Sequence, residues 1–201
     1  IATEAADHEP DAEDAAKLAR GIALRLGIPE DYAQPVFEDP WHYLKREQEA
    51  DGAWFGRWGV NLTYGIGSVL PGLEAVGEDM GAAYVRRAVD WLIAHQNEDG
   101  GWGERIEGYY DPAWRGRGPS TPSQTAWAVL ALLAAGEAGH PATRDGAEYL
   151  ARSQNGSGGW DEPQFTGTGF PTDFMIRYHL YRDVFPLMAL GRYRRAVREA
   201  E

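Results

Sequence analysis

The chain has 201 residues, with 19 Lys and Arg against 31 Asp and Glu, 25 glycines, 8 tryptophans and no cysteine. A formal charge of -12 argues against a phosphate-binding surface, so nucleic acid is not an expected partner. The missing cysteines exclude a disulfide framework, thiolate chemistry and any Cys-ligated zinc.

Residues 1–13 form an acidic lead-in, in which Glu4, Asp7, Glu9, Asp11 and Glu13 meet no basic residue before Lys17. Such a run is expected to be solvated and partly disordered. Ile1 has no initiator Met before it, and neither a basic segment nor an apolar stretch of the secretory kind follows, so the chain reads as a piece of something longer. The longest wholly apolar run, Ala126 to Ala135, is well short of the roughly 18 residues needed to span a bilayer as a helix. It reads instead as a helix buried on all sides.

Aligned against itself, the chain shows three repeats. These are Tyr43-Leu44 with Gln48, Gly52 and Trp54; Trp91-Leu92 with Gln96, Gly100 and Trp102; and Tyr149-Leu150 with Gln154, Gly158 and Trp160. Each Trp follows its Gln at the same interval, which is a repeat-architecture signal. Ahead of the second Gln, Tyr84, Val85, Ala88, Val89 and Leu92 make one apolar stripe, with Arg86, Arg87 and Asp90 opposite, which predicts an amphipathic outer helix. Asp99-Gly100-Gly101 then breaks it. A more apolar inner helix should follow each repeat: Thr63 to Val76, Thr121 to Ala135 with cap residues and an early proline, and Asp173 to Tyr193. The fold expectation is therefore all-α, with helix pairs curving into part of a ring. Gln48, Gln96 and Gln154 with Trp54, Trp102 and Trp160 are expected to be structural staples, each Gln bonding free backbone groups at the start of the next helix.

His8, His42, His95, His140 and His179 lack ligand spacing, so no metal or other cofactor is expected. Glu104 and Asp161-Glu162 offer a carboxylate pair for a toroidal glycoside hydrolase, but Asp161-Glu162 sits beside a repeat Trp.

The Gln-to-Trp repeats resemble the QW motifs of the triterpene cyclases, and the resemblance tightens toward the squalene–hopene cyclases. It is carried by Gly56-Arg57-Trp58-Gly59-Val60-Asn61, by Asp111-Pro112-Ala113-Trp114-Arg115-Gly116-Arg117-Gly118, and by Ser120 through Trp127. The strongest match runs from Gln164 through Gly167-Thr168-Gly169-Phe170-Pro171, Asp173-Phe174 and Tyr178 to Tyr181-Arg182-Asp183-Val184-Phe185-Pro186 and Tyr193. The resemblance implies that residues 14–201 are the C-terminal part of the catalytic α/α barrel, a partial (α/α)6 toroid of the terpenoid cyclase and protein prenyltransferase kind.

It further implies an isomerase that cyclises squalene, or a similar polyprenyl hydrocarbon, to a pentacyclic triterpene. Family members sit as monotopic proteins on the cytoplasmic side of bacterial membranes, and a homodimer is possible. Their proton donor is an Asp-x-Asp-Asp motif, which this sequence lacks. Asp11-Ala12-Glu13-Asp14 has the wrong spacing, and Leu18 stands where a basic partner is usual. No catalytic acid is therefore assigned, and the isolated chain is expected to be inactive. By resemblance, Trp58 and Tyr64 line the pocket near the protonation end, while Phe170, Phe174, Tyr178 and Tyr181 face the later cations. The spacing of those last four would let a single helix present them together, and Arg177 should point away. The competing expectation is a non-catalytic helical-repeat module that binds an isoprenoid or a partner chain through an apolar face.

Overall fold

The computed structural model describes residues 40–170 and 172–199. The acidic lead-in, Asp11 to Asp14 and Leu18 lie outside the described residues. The first described helix, α1 (Pro40–Glu47), belongs to a unit that ends at Glu47, and the remaining elements belong to a second unit beginning at Gln48. In α1 the Arg46 guanidinium lies 5.2 Å from the Tyr43 ring centroid.

The second unit holds α2 (Leu62–Ala75), α3 (Ala83–Ala94), two short 3-10 turns (Ile106–Tyr109 and Pro112–Trp114), α4 (Pro122–Ala134) and α5 (Pro141–Ser153). An antiparallel hairpin, β1 (Gly167–Phe170) with β2 (Asp173–Ile176), and α6 (Tyr181–Glu199) complete it. The inner layer is α2, α4 and α6, with α4 packed between the other two. In α4 every residue except Leu133 is buried, the outcome anticipated for a helix with no polar face. Thr121 caps it by accepting from the Gln124 N–H, and Pro122 occupies the first helical position, where its missing N–H costs nothing. The outer helices are amphipathic: α3 buries Tyr84, Val85, Ala88, Val89, Trp91 and Leu92, and α5 packs against α4 through a face that includes Ala147 and Leu150.

The repeats staple these layers. Gln48 Nε2 donates to Gly52 O at 2.8 Å and to Tyr84 O at 2.7 Å; Gln96 Nε2 donates to Gly100 O at 2.8 Å and to Ala142 O at 2.9 Å. Tyr84 and Ala142 are the second residues of α3 and α5, so each Gln ties its own turn to the next outer helix. The acceptors are carbonyls in the first turn of those helices. The indoles lock the same turns from inside, since Trp102 Nε1 donates to Leu92 O at 2.7 Å and Trp160 Nε1 to Leu150 O at 2.8 Å. Gly52, Gly100 and Gly158 take φ of 97°, 84° and 85°, the left-handed conformation in which a side chain is strained.

The third predicted inner helix is corrected. Residues 173–176 are a strand, and helix begins only at Tyr181. Asp173–Ile176 instead pairs with Gly167–Phe170, a glycine-rich strand that is a poor helix former and whose backbone groups find partners across the molecule. Val60 N–H donates to Thr166 O at 2.9 Å, Thr168 N–H to Trp58 O at 3.1 Å, and Gly59 and Gly167 form an antiparallel bridge. The hairpin is thus a third, pinned arm of the loop that carries Trp58.

Candidate functional site

The loop of residues 56–61 enters α2 and is fixed from three directions. Gln124 Nε2, on α4, donates to Val60 O at 2.8 Å. The Tyr109 hydroxyl lies 2.9 Å from both Gly56 O and Gly59 O, a shared bond. Burial, and then the charge of Glu104, push the Tyr109 phenol well above its usual pKa, so it stays a protonated donor. On the third side is the hairpin, where the Thr168 hydroxyl also donates to Arg57 O at 2.8 Å.

Two aromatic rings close over the Gly59–Gly167 bridge. A Cβ placed on Gly59 would come within 2.3 Å of the Tyr64 ring, and one on Gly167 within 2.7 Å of the Tyr178 ring. Only hydrogen fits at either position. Tyr178 meets Tyr181 with centroids 4.7 Å apart, Tyr181 meets Trp127 at 5.8 Å, and Trp127 meets Tyr64 at 5.0 Å. Contacts therefore run in a closed circuit from Tyr64 through the bridge, Tyr178, Tyr181 and Trp127 back to Tyr64. Phe185 joins it from α6, 5.1 Å from Tyr181 and 5.5 Å from Trp127.

Tyr64, Tyr178 and Tyr181 are thus brought together, with Trp58 on the loop beside them. Phe170 and Phe174 form a separate pair on the hairpin, 5.6 Å apart. The expectation that Phe170, Phe174, Tyr178 and Tyr181 share one helix face is overturned, because a hairpin and a loop carry the first three. The backbone pays a strain there: Phe174 has φ 51° and Thr172 φ 69°, which is unfavourable for residues with a Cβ. Tyr110 anchors this tip, its hydroxyl donating to Thr172 O. Trp58 is 48% exposed, Phe170 61% and Phe174 74%, so these rings present an open apolar face. Arg177 is exposed and reaches Pro163 O at 3.4 Å, away from the circuit.

Glu104 and Glu162, the buried carboxylates among the described residues, do different work from that of the hydrolase pair considered above. Glu104 accepts from Leu62 N–H, Thr63 N–H, the Thr63 hydroxyl and Gly116 N–H, at 2.5 to 3.3 Å. It caps α2, offsetting the free N–H groups at that helix start. Glu162 does the same for α4, accepting from the Ser123 N–H and hydroxyl at 2.8 Å and from the Thr166 hydroxyl at 2.9 Å. Burial raises the Glu162 carboxyl above its ordinary range, opposed by those donors and by the charge of Arg182. Both glutamates stand two residues after a repeat Trp, a signal the sequence held in Trp102-x-Glu104 and Trp160-x-Glu162. Trp127 and Phe185 had no such signal, since an aromatic within an apolar run looks like ordinary core.

Such a circuit of aromatic rings is a surface suited to apolar or cationic groups. Residues 6–195 match the family described as squalene-hopene cyclase C-terminal domain. The chain belongs to that family. Among its relatives, squalene–hopene cyclase of Alicyclobacillus acidocaldarius is 55% identical over 80% of this chain and 27% of the relative's length. A probable squalene–hopene cyclase of Sinorhizobium fredii is 45% identical over 94% of the chain and 30% of its own length. Dammaradiene synthase of Dryopteris crassirhizoma is 46% identical over 76% of the chain and 24% of its own length. The chain spans about a quarter to a third of the length of these three relatives. Its described part is mainly helical with one two-stranded hairpin, and no described helix is long and apolar enough to cross a membrane.

Proposed function

We propose that residues 14–201 are the cation-handling part of a squalene–hopene-type cyclase, and that with the remainder of such an enzyme they cyclise squalene to a pentacyclic triterpene. The carrying observation is the aromatic circuit of Tyr64, Tyr178, Tyr181 and Trp127 beside the open rings of Trp58, Phe170 and Phe174. Cyclisation of a polyene passes through carbocations that lack a counter-ion, and an adjacent carboxylate would quench them by addition or by removing a proton. Ring faces stabilise a cation through their quadrupole by roughly 0.5 to 2 kcal/mol each without reacting with it. Glu104 and Glu162 fit this division of labour, because their oxygens are occupied by backbone and hydroxyl donors.

In this reading Trp58 and Tyr64 serve the early cation and Phe170, Phe174, Tyr178 and Tyr181 the later ones. The proton comes from outside this sequence, which contains no Asp-x-Asp-Asp. Attachment as a monotopic protein on the cytoplasmic face of a membrane is carried over with the reading. The test is incubation with squalene and gas chromatography of the products. The chain alone should give none, and a polypeptide that adds the family's acid-bearing part should give a pentacyclic product. Turnover by the chain alone would overturn the assignment of the acid, and failure of the completed enzyme would overturn the reading. A second reading, a binding module for an isoprenoid, is favoured by the exposure of Phe170 and Phe174; it would appear as ligand binding with no conversion by the completed enzyme.

A further inference from the structure

We propose that Trp127 is a positioning residue that sets the orientation of the Tyr64 and Tyr181 rings toward a cation, an inference that rests on the cation-handling reading above. Trp127 is 2% exposed, so it acts through its neighbours and does not offer its own face to a ligand. Three rings from two inner helices meet its indole edge-on: Tyr64 at 75°, Tyr181 at 81° and Phe185 at 74°. Edge-to-face pairing uses the negative face of one ring and the positive edge of another, and it fixes the direction in which each neighbouring face points. Of the described ring contacts, those of Trp127 are what join Tyr64 on α2 to Tyr181 and Phe185 on α6.

The seat of the indole is built into α2. A Cβ on Gly67 would fall 2.7 Å from the Trp127 Cβ, so glycine one turn after Tyr64 lets α4 approach closely enough for the ring contact. The indole Nε1 is buried and finds no acceptor among the described residues. By contrast, the buried repeat indoles of Trp91, Trp102 and Trp160 each donate their N–H, to Asp51 Oδ2, Leu92 O and Leu150 O. Trp127 lacks that bond, which points to the ring itself, and not the hydrogen bond, as the feature the site uses.

The experiment compares two probes on the chain by calorimetry: farnesyldimethylamine, protonated at neutral pH, and the neutral hydrocarbon in which carbon replaces the nitrogen. The wild-type chain should prefer the cation roughly tenfold, the size expected for one or two well-set rings. Trp127→Leu should reduce that preference at least threefold while Trp127→Phe, which keeps a ring and loses only the unpartnered N–H, retains most of it. Gly67→Ala, which displaces the indole without removing it, should reduce the preference as Trp127→Leu does and decides the matter if the Leu variant loses its thermal unfolding transition. A purely structural role would weaken both probes equally and leave their ratio unchanged, overturning the proposal. A wild-type chain with no preference for the cation would overturn the cation-handling reading and this inference together, whereas an intact ratio in the variants overturns only the inference.

Discussion

The Thr168 N–H donates to the Trp58 carbonyl at 3.1 Å, and the Thr168 hydroxyl donates to the preceding carbonyl, Arg57, at 2.8 Å. One threonine thus holds both ends of the peptide that presents Trp58. Thr168 is 1% exposed, so these bonds are shielded from water. Thr168→Val keeps the shape, removes the hydroxyl and leaves Arg57 O without that partner; the expected loss is about 1 to 2 kcal/mol. Urea denaturation should show a lower midpoint at an unchanged slope, with Thr168→Ser close to wild type. An unmoved midpoint for the Val variant would show that the bond contributes nothing.

Glu104 has a larger role, because it satisfies four donors at once. Glu104→Ala strands Leu62 N–H, Thr63 N–H, the Thr63 hydroxyl and Gly116 N–H, and should cost at least about 3 kcal/mol, since charged acceptors contribute roughly 1.5 to 3 kcal/mol each without adding fully. Glu104→Gln keeps one acceptor oxygen and should recover part of that. Hydrogen exchange at Leu62 and Thr63 gives the local readout: faster exchange in the Ala variant is expected, and unchanged exchange would argue against the cap.

Gly100 and Gly158 share a conformation but differ in their surroundings. A Cβ on Gly100 would meet Asp145 O at 2.7 Å, whereas none of the described atoms lies within 4 Å of one on Gly158. Gly158→Ala should cost about 1 kcal/mol from the left-handed φ alone. Gly100→Ala should cost distinctly more, because α5 must also move away. Equal losses in thermal midpoint would refute the close packing of α5 on that turn.

Alkaline pH tests the buried phenols. Burial pushes Tyr84 and Tyr149 up to about 12 from an ordinary 10.0, and Tyr109 moves further in the same direction. A raised pKa in the folded state means that the folded form holds its proton more tightly than the unfolded form. That stability is present in full below the unfolded value of about 10 and is lost as pH rises through the folded values. Unfolding free energy should therefore fall between pH 10 and 12, and phenolate absorbance from these residues should appear together with loss of helical dichroism. Ionisation near pH 10 with the fold intact would contradict their burial.

The repeats were readable in the sequence because each is local: Gln, Gly and Trp act within one turn, and their spacing is the turn itself. The inner helices α2 and α4 were readable for a similar reason, as apolar runs with caps. Glu104 and Glu162 were half-readable. Their spacing from Trp recurs, but Gly56 occupies the corresponding place after Trp54, and carboxylates alone do not announce that a helix start lies opposite them. The rings at 170 to 181 were misassigned to one helix because spacings of three and four fit a helix wherever they occur.

By itself the sequence determined the family, the helical repeat and the absence of the acid motif, since these depend on residue identity and short-range spacing. Tertiary structure decided how the aromatic site is built. The conformation of residues 167–176 follows from hydrogen bonds of residues 166–168 to the Trp58 loop, more than a hundred positions away, and from the pairing of β1 with β2, and these outweigh local preference. The part of Trp127 was likewise decided by packing: its rings come from two other helices, and no local pattern records which helices will meet.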